Sequence, residues 1–484
     1  MSFQLVIAEK PSVARSIATV IGATEKQNGY WQGGGYLVSW CIGHLVSFAE
    51  AGQYDEKYGK WRYEDLPILP QPWQFIVPDE KKQQFEIVRA LLNRPDVDSV
   101  TAATDAGREG ELIFRFVYQM AGCTKPVKRL WISSMEDAAI REGFANLRPD
   151  LDYDALYQSA LCRAKADWLV GINATRLFSV LYHKTLTVGR VQTPALKMLV
   201  DRDAKILRFQ KEKYYTVGIH SATLKADTEE EVLNALPELA EGQNFSVTTD
   251  ILEHFTSPPK AYTEDTLLSA MERAGAEDMP EEAERKGLGT PATRAAILEK
   301  LVQMGFVQRK GKQLVPTKDG INLAVVLPES LTSPVLTAEW ENRLTEIAKG
   351  NADADEFMAE IEAQVRQLVK TYSCISADKQ NLFQSERVII GKCPRCGENV
   401  YEGKKNFYCG NRSCQFVMWK NDRFFEQRKK AFTPKIAAAL LKNGKAKVKG
   451  LYSEKTGKTY DATVLLADTG GKYVNYRIAR DSIM

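Results

Sequence analysis

The 484-residue chain lacks several features that would assign it to a simple class. No stretch approaches the run of about 18 apolar residues that a membrane span needs, and no basic segment precedes the first apolar strand. We therefore expect a cytoplasmic protein. The 65 basic and 62 acidic residues give a net charge of only +3. Overall charge thus identifies no partner, and a nucleic acid would have to be bound by local patches.

Cysteine is scarce over most of the chain. Four of the eight cysteines are scattered, as is usual for small core residues: Cys41, Cys123, Cys162 and Cys374. The other four form two pairs separated by twelve residues, Cys393-x₂-Cys396 and Cys409-x₄-Cys414. This spacing predicts a structural zinc ion held by four thiolates in a reducing compartment, and a ribbon with free thiols is the alternative. Because cysteine would fill all four zinc positions, a catalytic zinc is not expected.

Length and periodicity predict several domains. Strands and helices alternate over residues 1–150, which favours a parallel α/β sheet. Helical periodicity dominates the next segment, a short β arch follows, and then helices with a small β-wing resemble a winged helix-turn-helix. The predicted boundaries are 1–150, 151–203, 204–262, 263–374, a linker at 375–390, and a zinc ribbon with a β-rich tail at 391–484.

The most informative segment is the acid-rich turn from Thr104 to Glu111. It follows an apolar strand, and another apolar strand ends in Glu9 and Lys10. Carboxylates at the carboxyl ends of parallel strands supply the oxygen ligands of Mg²⁺, usually one or two beside water and phosphate oxygens. The sequence therefore predicts a Mg²⁺ site for phosphate chemistry. The alternative is an ordinary turn whose acids favour a helix N-terminus.

Two loop-to-helix junctions carry groups that suit a phosphate backbone. The segment Gly189 to Pro194 presents a guanidinium, an amide and a hydroxyl, although a capped turn explains it equally well. The segment Gly287 to Arg294 has Thr290 as candidate N-cap, and its amides with Arg294 form a second candidate phosphate site. Basic residues also interleave with aromatic residues in the cysteine module, as in single-strand binders or in a merely solvated face: Lys404, Lys405, Arg412, Lys420 and Arg423.

In this order, the motifs resemble those of the type IA DNA topoisomerases, most nearly bacterial topoisomerase III. The matching segments extend from residue 5 to about 420 and are Ile7 to Ser12, Gly43-His44-Leu45, Ala103 to Glu111, Gly189 to Pro194, Gly287 to Arg294 and the cysteine module.

The resemblance implies a Toprim domain over residues 1–150 with Glu9, Lys10, Asp105 and Glu109 as catalytic residues. It also implies Mg²⁺ bound by Glu9 and Asp105, with Glu109 as a third candidate ligand. Many relatives have aspartate where this chain has Gly107, which implies fewer carboxylates and a single Mg²⁺. The implied partner is single-stranded or negatively supercoiled DNA, bound by a monomer. The expected DNA contacts are Trp61, Trp168, Arg176, Gly189, Arg190, Val191, Gln192, Thr193, Pro194, Thr290 and Arg294.

The chain departs from the family at the nucleophile. Type IA enzymes cut one DNA strand with a tyrosine in a Tyr-x-Arg context, and none of the 19 tyrosines here has arginine two residues later. Only about twenty residues join the strand near Tyr215 to the segment from Leu236 to Gly242, where the family carries a whole gate domain. Tyr214, Tyr215 and Tyr262 are the nearest substitutes, and packing explains each of them more simply.

Three hypotheses follow. The first is a topoisomerase III-like chain that binds single-stranded DNA and Mg²⁺ but cannot form the tyrosyl link. The second is a non-catalytic DNA-binding scaffold, which the absent Tyr-x-Arg favours. The third is a Toprim primase or nuclease with metal chemistry and no tyrosine, and the two loop-to-helix motifs argue against it.

Overall fold

The structure is a computed structural model that describes residues 2–221, 241–242, 244, 247–274, 287–289, 291–383, 388–411, 413–471 and 474–479. Two compact units divide the chain between residues 380 and 381. Thr290, Arg412 and most of the segment from Leu236 to Gly242 lie outside the described residues. No helix in these ranges is long and apolar enough to cross a membrane.

The first 150 residues form a seven-stranded sheet and a small two-stranded one. The strands are β1 (Phe3–Ala8), β2 (Glu25–Gln27), β3 (Tyr30–Gly33), β4 (Tyr36–Trp40), β5 (Ser47–Phe48), β6 (Phe75–Ile76), β7 (Val97–Ala103), β8 (Val127–Arg129) and β9 (Arg148–Pro149). The larger sheet has the order β2-β3-β4-β1-β7-β8-β9, in which β4, β1, β7 and β8 are parallel. The predicted parallel α/β sheet is confirmed.

Helices cover both faces of this sheet. They are α1 (Pro11–Ile21), α2 (Ala51–Tyr54), α3 (Lys82–Leu92), α4 (Arg108–Met120) and α5 (Asp137–Ala145). Helix α1 begins at a proline, which suits the first helical position, and ends before Gly22, whose φ of 82° is left-handed. In β1, Leu5 and Ile7 pack with α3 and α4, while the alternate residues pack with α1 and α5. Burial of both faces explains why β1 is a continuous apolar run.

A helical region follows and packs onto the sheet domain. Its helices are α6 (Asp154–Tyr182), α7 (Gln192–Leu207), α8 (Glu264–Arg273), α9 (Pro291–Gln303), α10 (Lys318–Val326), α11 (Glu329–Thr332), α12 (Val335–Ala348) and α13 (Ala354–Thr371). The long helix α6 contacts α4, α12 and α13, so it joins the two regions. Strands β12 (Val307–Lys310) and β13 (Gln313–Pro316) form the predicted two-stranded wing.

Between α7 and α8 lies a two-stranded antiparallel ribbon, made of β10 (Lys213–Ser221) and β11 (Val247–Phe255). Its two strands pair continuously from Lys213 with Phe255 to Ser221 with Val247. Several apolar side chains on it are exposed, including Tyr215 at 57%, Val217 at 63% and Ile251 at 70%. The predicted arch strand at Tyr214 to Val217 is confirmed.

Residues 381–484 form the second unit around one apolar core. Its elements are β14 (Ile389–Lys392), β15 (Asn399–Glu402), β16 (Asn406–Cys409), β17 (Val417–Trp419), α14 (Arg423–Glu426), α15 (Pro434–Asn443), β18 (Lys445–Tyr452), β19 (Thr459–Ala467) and β20 (Asn475–Ile478). Strands β14 to β17 form one antiparallel sheet and β18 to β20 another. Aromatic residues such as Phe407 and Phe416 fill the core between them.

Candidate metal and nucleic-acid sites

The predicted carboxylates Glu9 and Asp105 lie together at the carboxyl edge of the sheet. Strands β1 and β7 are parallel neighbours in which Ala8 pairs with Ala103, so the residues that follow them meet. The backbone N–H of Asp105 donates to Glu9 Oε2 at 3.3 Å. Lys10 Nζ lies 3.4 Å from Asp105 Oδ2 and 3.6 Å from Glu9 Oε1. The three residues therefore form a compact pair of carboxylates with one ammonium group.

The electrostatics of this group favour a cation. Burial raises the pKa of Glu9, and the nearby negative charge of Asp105 raises it further. The two carboxylates raise the pKa of Lys10, with Asp105 as the larger cause. Positive charge is therefore stabilised between Glu9 and Asp105, as two crowded carboxylates require.

Glu109 does not join this pair in the structure. Its Oε1 lies 3.3 Å from His44 Nε2, and its Oε2 lies 3.4 Å from Arg163 Nη1. In the part of the chain that is described, the three acids do not form a compact ligand group, and the four zinc-module cysteines do. His44 belongs to the Gly43-His44-Leu45 motif, but nothing in the sequence predicts its contact with Glu109.

Arg129 is a residue of this site that sequence reasoning missed. Its buried guanidinium donates to the carbonyls of Ala102 and Thr104 at 3.0 and 2.8 Å, and to that of Asp105 at 2.8 Å. Its Nε lies 3.0 Å from the buried Glu111 carboxylate. Burial raises the pKa of Glu111. Arg129 thus fixes the backbone that presents Asp105. Glu111 has a structural role, because its buried carboxylate pairs with Arg129.

The Gly189 to Pro194 segment is mostly buried. Arg190, 6% exposed, donates from Nε to Asp167 Oδ1 at 2.7 Å, and its guanidinium carbon lies 5.1 Å from the Trp340 ring centroid. Helix α7 begins at Gln192, so that Pro194 lies in its first turn, and Gly189 N–H donates to Thr193 Oγ1 at 3.0 Å. Val191 precedes the helix as its N-cap residue. In this structure the motif is a capped, packed turn, and its DNA contact stays a prediction.

Glu341 on α12 ties this turn to the start of α4 and to α6. The carboxylate, 3% exposed, lies 2.5 Å from Arg108 Nη2, 3.6 Å from Arg163 Nε and 3.7 Å from Arg190 Nη1. Burial raises its pKa, but the three guanidinium groups outweigh that effect and hold the pKa below its usual range. We call these four residues, with Asp167, the Glu341 cluster. No local pattern in the sequence indicated it.

The predicted DNA contacts Trp61, Arg176 and Trp168 lie in two separate places. The guanidinium of Arg176 lies 5.4 Å from the ring centroid of Trp61, which is 42% exposed, and donates to the Tyr58 carbonyl at 2.7 Å. Trp168 packs edge-on against Trp73, with ring centroids 5.4 Å apart. Trp61 therefore presents an exposed ring beside the guanidinium of Arg176, which is itself only 6% exposed, and Trp168 belongs to a separate aromatic group.

Arg294 lies at the second loop-to-helix junction. It is 5% exposed, and its Nε donates to the Leu288 carbonyl at 3.1 Å. Its Nη1 lies 3.7 Å from Glu272 Oε2. The arginine therefore closes the loop that precedes α9, while its predicted partner Thr290 lies outside the described residues.

The four cysteines of the second unit converge. Their sulfur atoms all lie within 4.8 Å of one another, with 3.8 Å between Cys393 and Cys414 and 3.4 Å between Cys396 and Cys409. Backbone hydrogen bonding lowers the pKa of Cys396 to about 7, and burial raises that of Cys409 to about 12. Four sulfurs at this spacing are the donor set of a tetrahedral zinc site.

The basic residues around the cysteines are partly neutralised. Lys420 Nζ lies 2.6 Å from Glu402 Oε1, while Lys404, Lys405 and Arg423 are exposed. Lys420 also lies 5.1 Å from the ring centroid of the fully buried Phe407. Of the predicted basic contacts that the structure describes, Lys404, Lys405 and Arg423 are therefore accessible, while aromatic residues such as Phe407 and Phe416 build the core.

None of the three substitute tyrosines reaches the carboxylates. Tyr214 stacks on His254 in the ribbon with ring centroids 5.2 Å apart, and Tyr215 is paired in the same ribbon. The hydroxyl of Tyr262 accepts a hydrogen bond from Arg202 at 3.0 Å. Over the described ranges, no hydrogen bond joins any of them to Glu9 or Asp105.

Comparison with known proteins assigns the class. Residues 4–135 match the family model of the Toprim domain, and residues 152–233 and 221–359 match that of DNA topoisomerase. A Toprim sheet followed by these segments defines a DNA topoisomerase of type IA fold. The chain belongs to the type IA DNA topoisomerases, as its sequence resemblance predicted.

Two curated relatives and one solved structure illustrate the likeness. The chain is 28% identical to the proteins named DNA topoisomerase 3 of Bacillus licheniformis and of Bacillus subtilis, over 86% of this chain and 88% of each relative. The structure of full-length topoisomerase I from Thermotoga maritima is similar in fold. Its TM-score is 0.54 at 15% identity, covering 86% of this chain and 97% of that one.

The alignment with the Bacillus licheniformis protein leaves many of its positions unmatched. It runs over 641 positions but includes only 86% of this 484-residue chain, so about 225 positions of the relative have no counterpart here. The topoisomerase family model is likewise matched in two pieces that meet at residues 221–233, where β10 ends.

Proposed function

We propose that this protein is a topoisomerase III-like chain that binds single-stranded DNA and Mg²⁺ but does not cleave DNA. The two-piece match of the family model at the end of β10 carries the proposal, and the roughly 225 positions of the Bacillus licheniformis protein without a counterpart here support it. In the family, a gate domain with the Tyr-x-Arg nucleophile follows this strand. Its loss removes the group that would form the 5′-phosphotyrosine, and none of the 19 tyrosines is followed by arginine at the second position.

The domain assignment is part of this proposal. A Toprim domain, a helical DNA-binding segment, a shortened arch, a winged-helix-like domain, a linker, and a zinc ribbon with a β-rich tail occupy residues 1–150, 151–203, 204–262, 263–374, 375–390 and 391–484. The wing of β12 and β13 beside α9 supports the winged-helix-like assignment. A DNA ligand would locate the protein in the cytoplasm.

The residues at the carboxyl edge fit one Mg²⁺. Two crowded carboxylates, Glu9 and Asp105, already stabilise positive charge, and one or two protein carboxylates are what Mg²⁺ sites for phosphate chemistry commonly use. Mg²⁺ bound there would neutralise phosphate charge. Lys10, half exposed beside both acids, would contact a phosphate oxygen, and Glu109 would have to leave His44 and Arg163 to act as a third ligand.

The DNA contacts of the proposal differ in kind. Trp61 presents an accessible ring that suits base stacking, and the guanidinium of the buried Arg176 lies beside that ring. Arg190, Gln192, Thr193 and Arg294 are buried, so in the described conformation they support the DNA-facing backbone instead of touching DNA with their side chains. The four-cysteine cluster would hold structural zinc.

A covalent trapping assay tests the proposal. End-labelled single-stranded DNA is incubated with the full chain and Mg²⁺, denatured with detergent, and resolved on a gel, with a gate-containing relative such as the Bacillus subtilis protein as positive control. We expect label on the relative and none on this chain, while a native gel retains the DNA–protein complex. Label on this chain would refute the loss of cleavage. Absence of any complex in the native gel would refute the DNA-binding part.

A Glu9→Gln variant tests the metal site separately. We expect titration calorimetry to give weaker Mg²⁺ binding than in the wild type, because one of two adjacent carboxylates is lost. The matched control is Glu25→Gln, which removes an exposed carboxylate from β2. Equal Mg²⁺ affinity in all three proteins would contradict the assignment.

A further inference from the structure

The two units carry opposite net charges that cancel in the whole chain. Residues 381–484 hold 21 of the 65 lysine and arginine residues but only 9 of the 62 acidic residues, a net charge of +12, while residues 1–380 carry −9. A strongly basic unit attracts polyanions, which bind where its unpaired cations lie close together. The cysteine module holds part of it, but Lys420 and Arg395 there are paired with Glu402 and Asp468.

One row of unpaired positive charge lies on the outer face of the β18–β19–β20 sheet. In β18, Ala446 and Val448 point into the core, so the alternate residues Lys445, Lys447 and Lys449 point outward and are exposed. Over the described ranges, none of these lysines forms an ion pair. Three successive outward positions of one strand therefore present free ammonium groups.

The row of cations continues across the sheet and along its end. Lys445 pairs with Leu465, which pairs with the exposed Arg477 on β20. Beyond the irregularity in β18, Lys429 Nζ lies 4.2 Å from the ring centroid of Tyr452. Among the described residues of the sheet, Asp461 is the acid on this face, and its carboxylate accepts a hydrogen bond from the Gly450 N–H at 2.8 Å.

We infer that this face, which we call the lysine face (Lys445, Lys447, Lys449 and Arg477), binds the phosphodiester backbone of single-stranded DNA. Alternate residues of a strand rise by about 6.7 Å, comparable with one nucleotide of an extended single strand, so successive lysines meet successive phosphates. Half-buried Tyr452 lies at the end of the row with one ring for stacking. The inference rests on the proposed single-strand binding and adds a contact surface outside the Toprim and cysteine sites.

Lysines on an edge strand have another possible role, because they discourage pairing with a second sheet. That role requires charge at the edge but no polyanion, so it predicts no change in DNA affinity when the charge is removed. An acidic protein ligand would also leave DNA affinity unchanged. Binding to DNA as a function of salt therefore separates the DNA-binding role from the other two.

The test compares two triple variants of the full chain with equal loss of charge. One is K445Q/K447Q/K449Q, and the control is K435Q/K442Q/K455Q, whose lysines are exposed on α15 and in the β18–β19 turn and do not belong to the lysine face. Fluorescence anisotropy with a labelled oligothymidylate gives the affinity of each between about 50 and 200 mM salt. Circular dichroism checks that both variants keep the wild-type fold.

Each phosphate contact to a single strand contributes about 0.7 to the slope of log affinity on log salt. We therefore expect the lysine-face variant to bind more weakly and its slope to fall by about 2, while the control keeps most of the wild-type slope. Over a fourfold rise in salt, wild-type affinity would then fall about sixteenfold more than that of the variant. Equal slopes for the two variants would overturn the inference alone, whereas a wild-type chain that binds no DNA would overturn the proposed function.

Discussion

Replacing Glu341 with glutamine tests whether the Glu341 cluster holds the first unit together. The carboxylate is 3% exposed and lies 2.5 Å from the equally buried Arg108 and within 3.7 Å of Arg190. Loss of one partner of a buried ion pair leaves uncompensated charge and costs about 3–5 kcal/mol. Because three guanidinium groups share this carboxylate, we expect E341Q to lower the free energy of unfolding of residues 1–380 by about that amount.

Helix α12, which carries Glu341, also supplies a matched control through its contact with α13. Arg343 on α12 and Glu360 on α13 form an exposed ion pair of 2.9 Å, with side chains 38% and 47% exposed. Solvent screens such pairs, so E360Q should cost about 0–1 kcal/mol. Urea unfolding followed by circular dichroism compares the two variants. If E341Q unfolded at the same urea concentration as E360Q, the argument that the cluster stabilises the fold would be refuted.

The cluster also predicts a pH dependence. The pKa of Glu341 is lower in the folded protein than the ordinary value of 4.5, in spite of its burial. A lowered folded pKa contributes stability that is present above the ordinary pKa and lost as the pH falls through the folded value. The difference in unfolding free energy between wild type and E341Q should therefore narrow as the pH falls below about 4.5. A constant difference down to pH 2.5 or so would contradict the sign of the shift.

Two further predictions concern metals. Native mass spectrometry should find one zinc ion per chain. The C409S variant should lose this zinc ion, and its second unit should be less stable, because Cys409 belongs to the same core as Phe407 and Phe416. A metal-free wild type with an intact fold would contradict this prediction. G107D should strengthen Mg²⁺ binding in titration calorimetry relative to A106D, which adds the same charge one residue away, because Gly107 has an extended backbone (φ 167°, ψ 173°) that accepts any side chain. Equal affinities would mean that position 107 does not reach the Glu9–Asp105 pair.

The sequence predicted the Toprim sheet and its paired acids because both depend on local patterns. A continuous apolar run defines β1, a proline and a glycine define the ends of α1, and neighbouring parallel strands bring the residues after them to one edge. The environment of Arg190 could not be predicted in this way. An arginine in a glycine-containing turn has the same local pattern whether it faces a phosphate or, as here, Asp167 and Trp340.

The position of Glu109 illustrates the same limit. Its spacing from Asp105 on a turn and a helix start is compatible with a shared metal, and the sequence therefore grouped the two acids. In the structure, His44 and Arg163 hold Glu109 from two other segments. Such competition between tertiary partners for one carboxylate depends on the packed fold, and no pattern within the acid-rich turn records it.

The ribbon has an evolutionary consequence. Its strands leave the core and return side by side, with Lys213 opposite Phe255 at one end and Ser221 opposite Val247 at the other. A segment inserted between or removed from adjacent ends changes the length of one connection and leaves the core contacts in place. The Glu341 cluster lies entirely outside the ribbon. One genetic event could therefore remove a domain of about two hundred residues at the end of the ribbon without destabilising the rest of the first unit. The same junction is a natural place to graft a foreign domain.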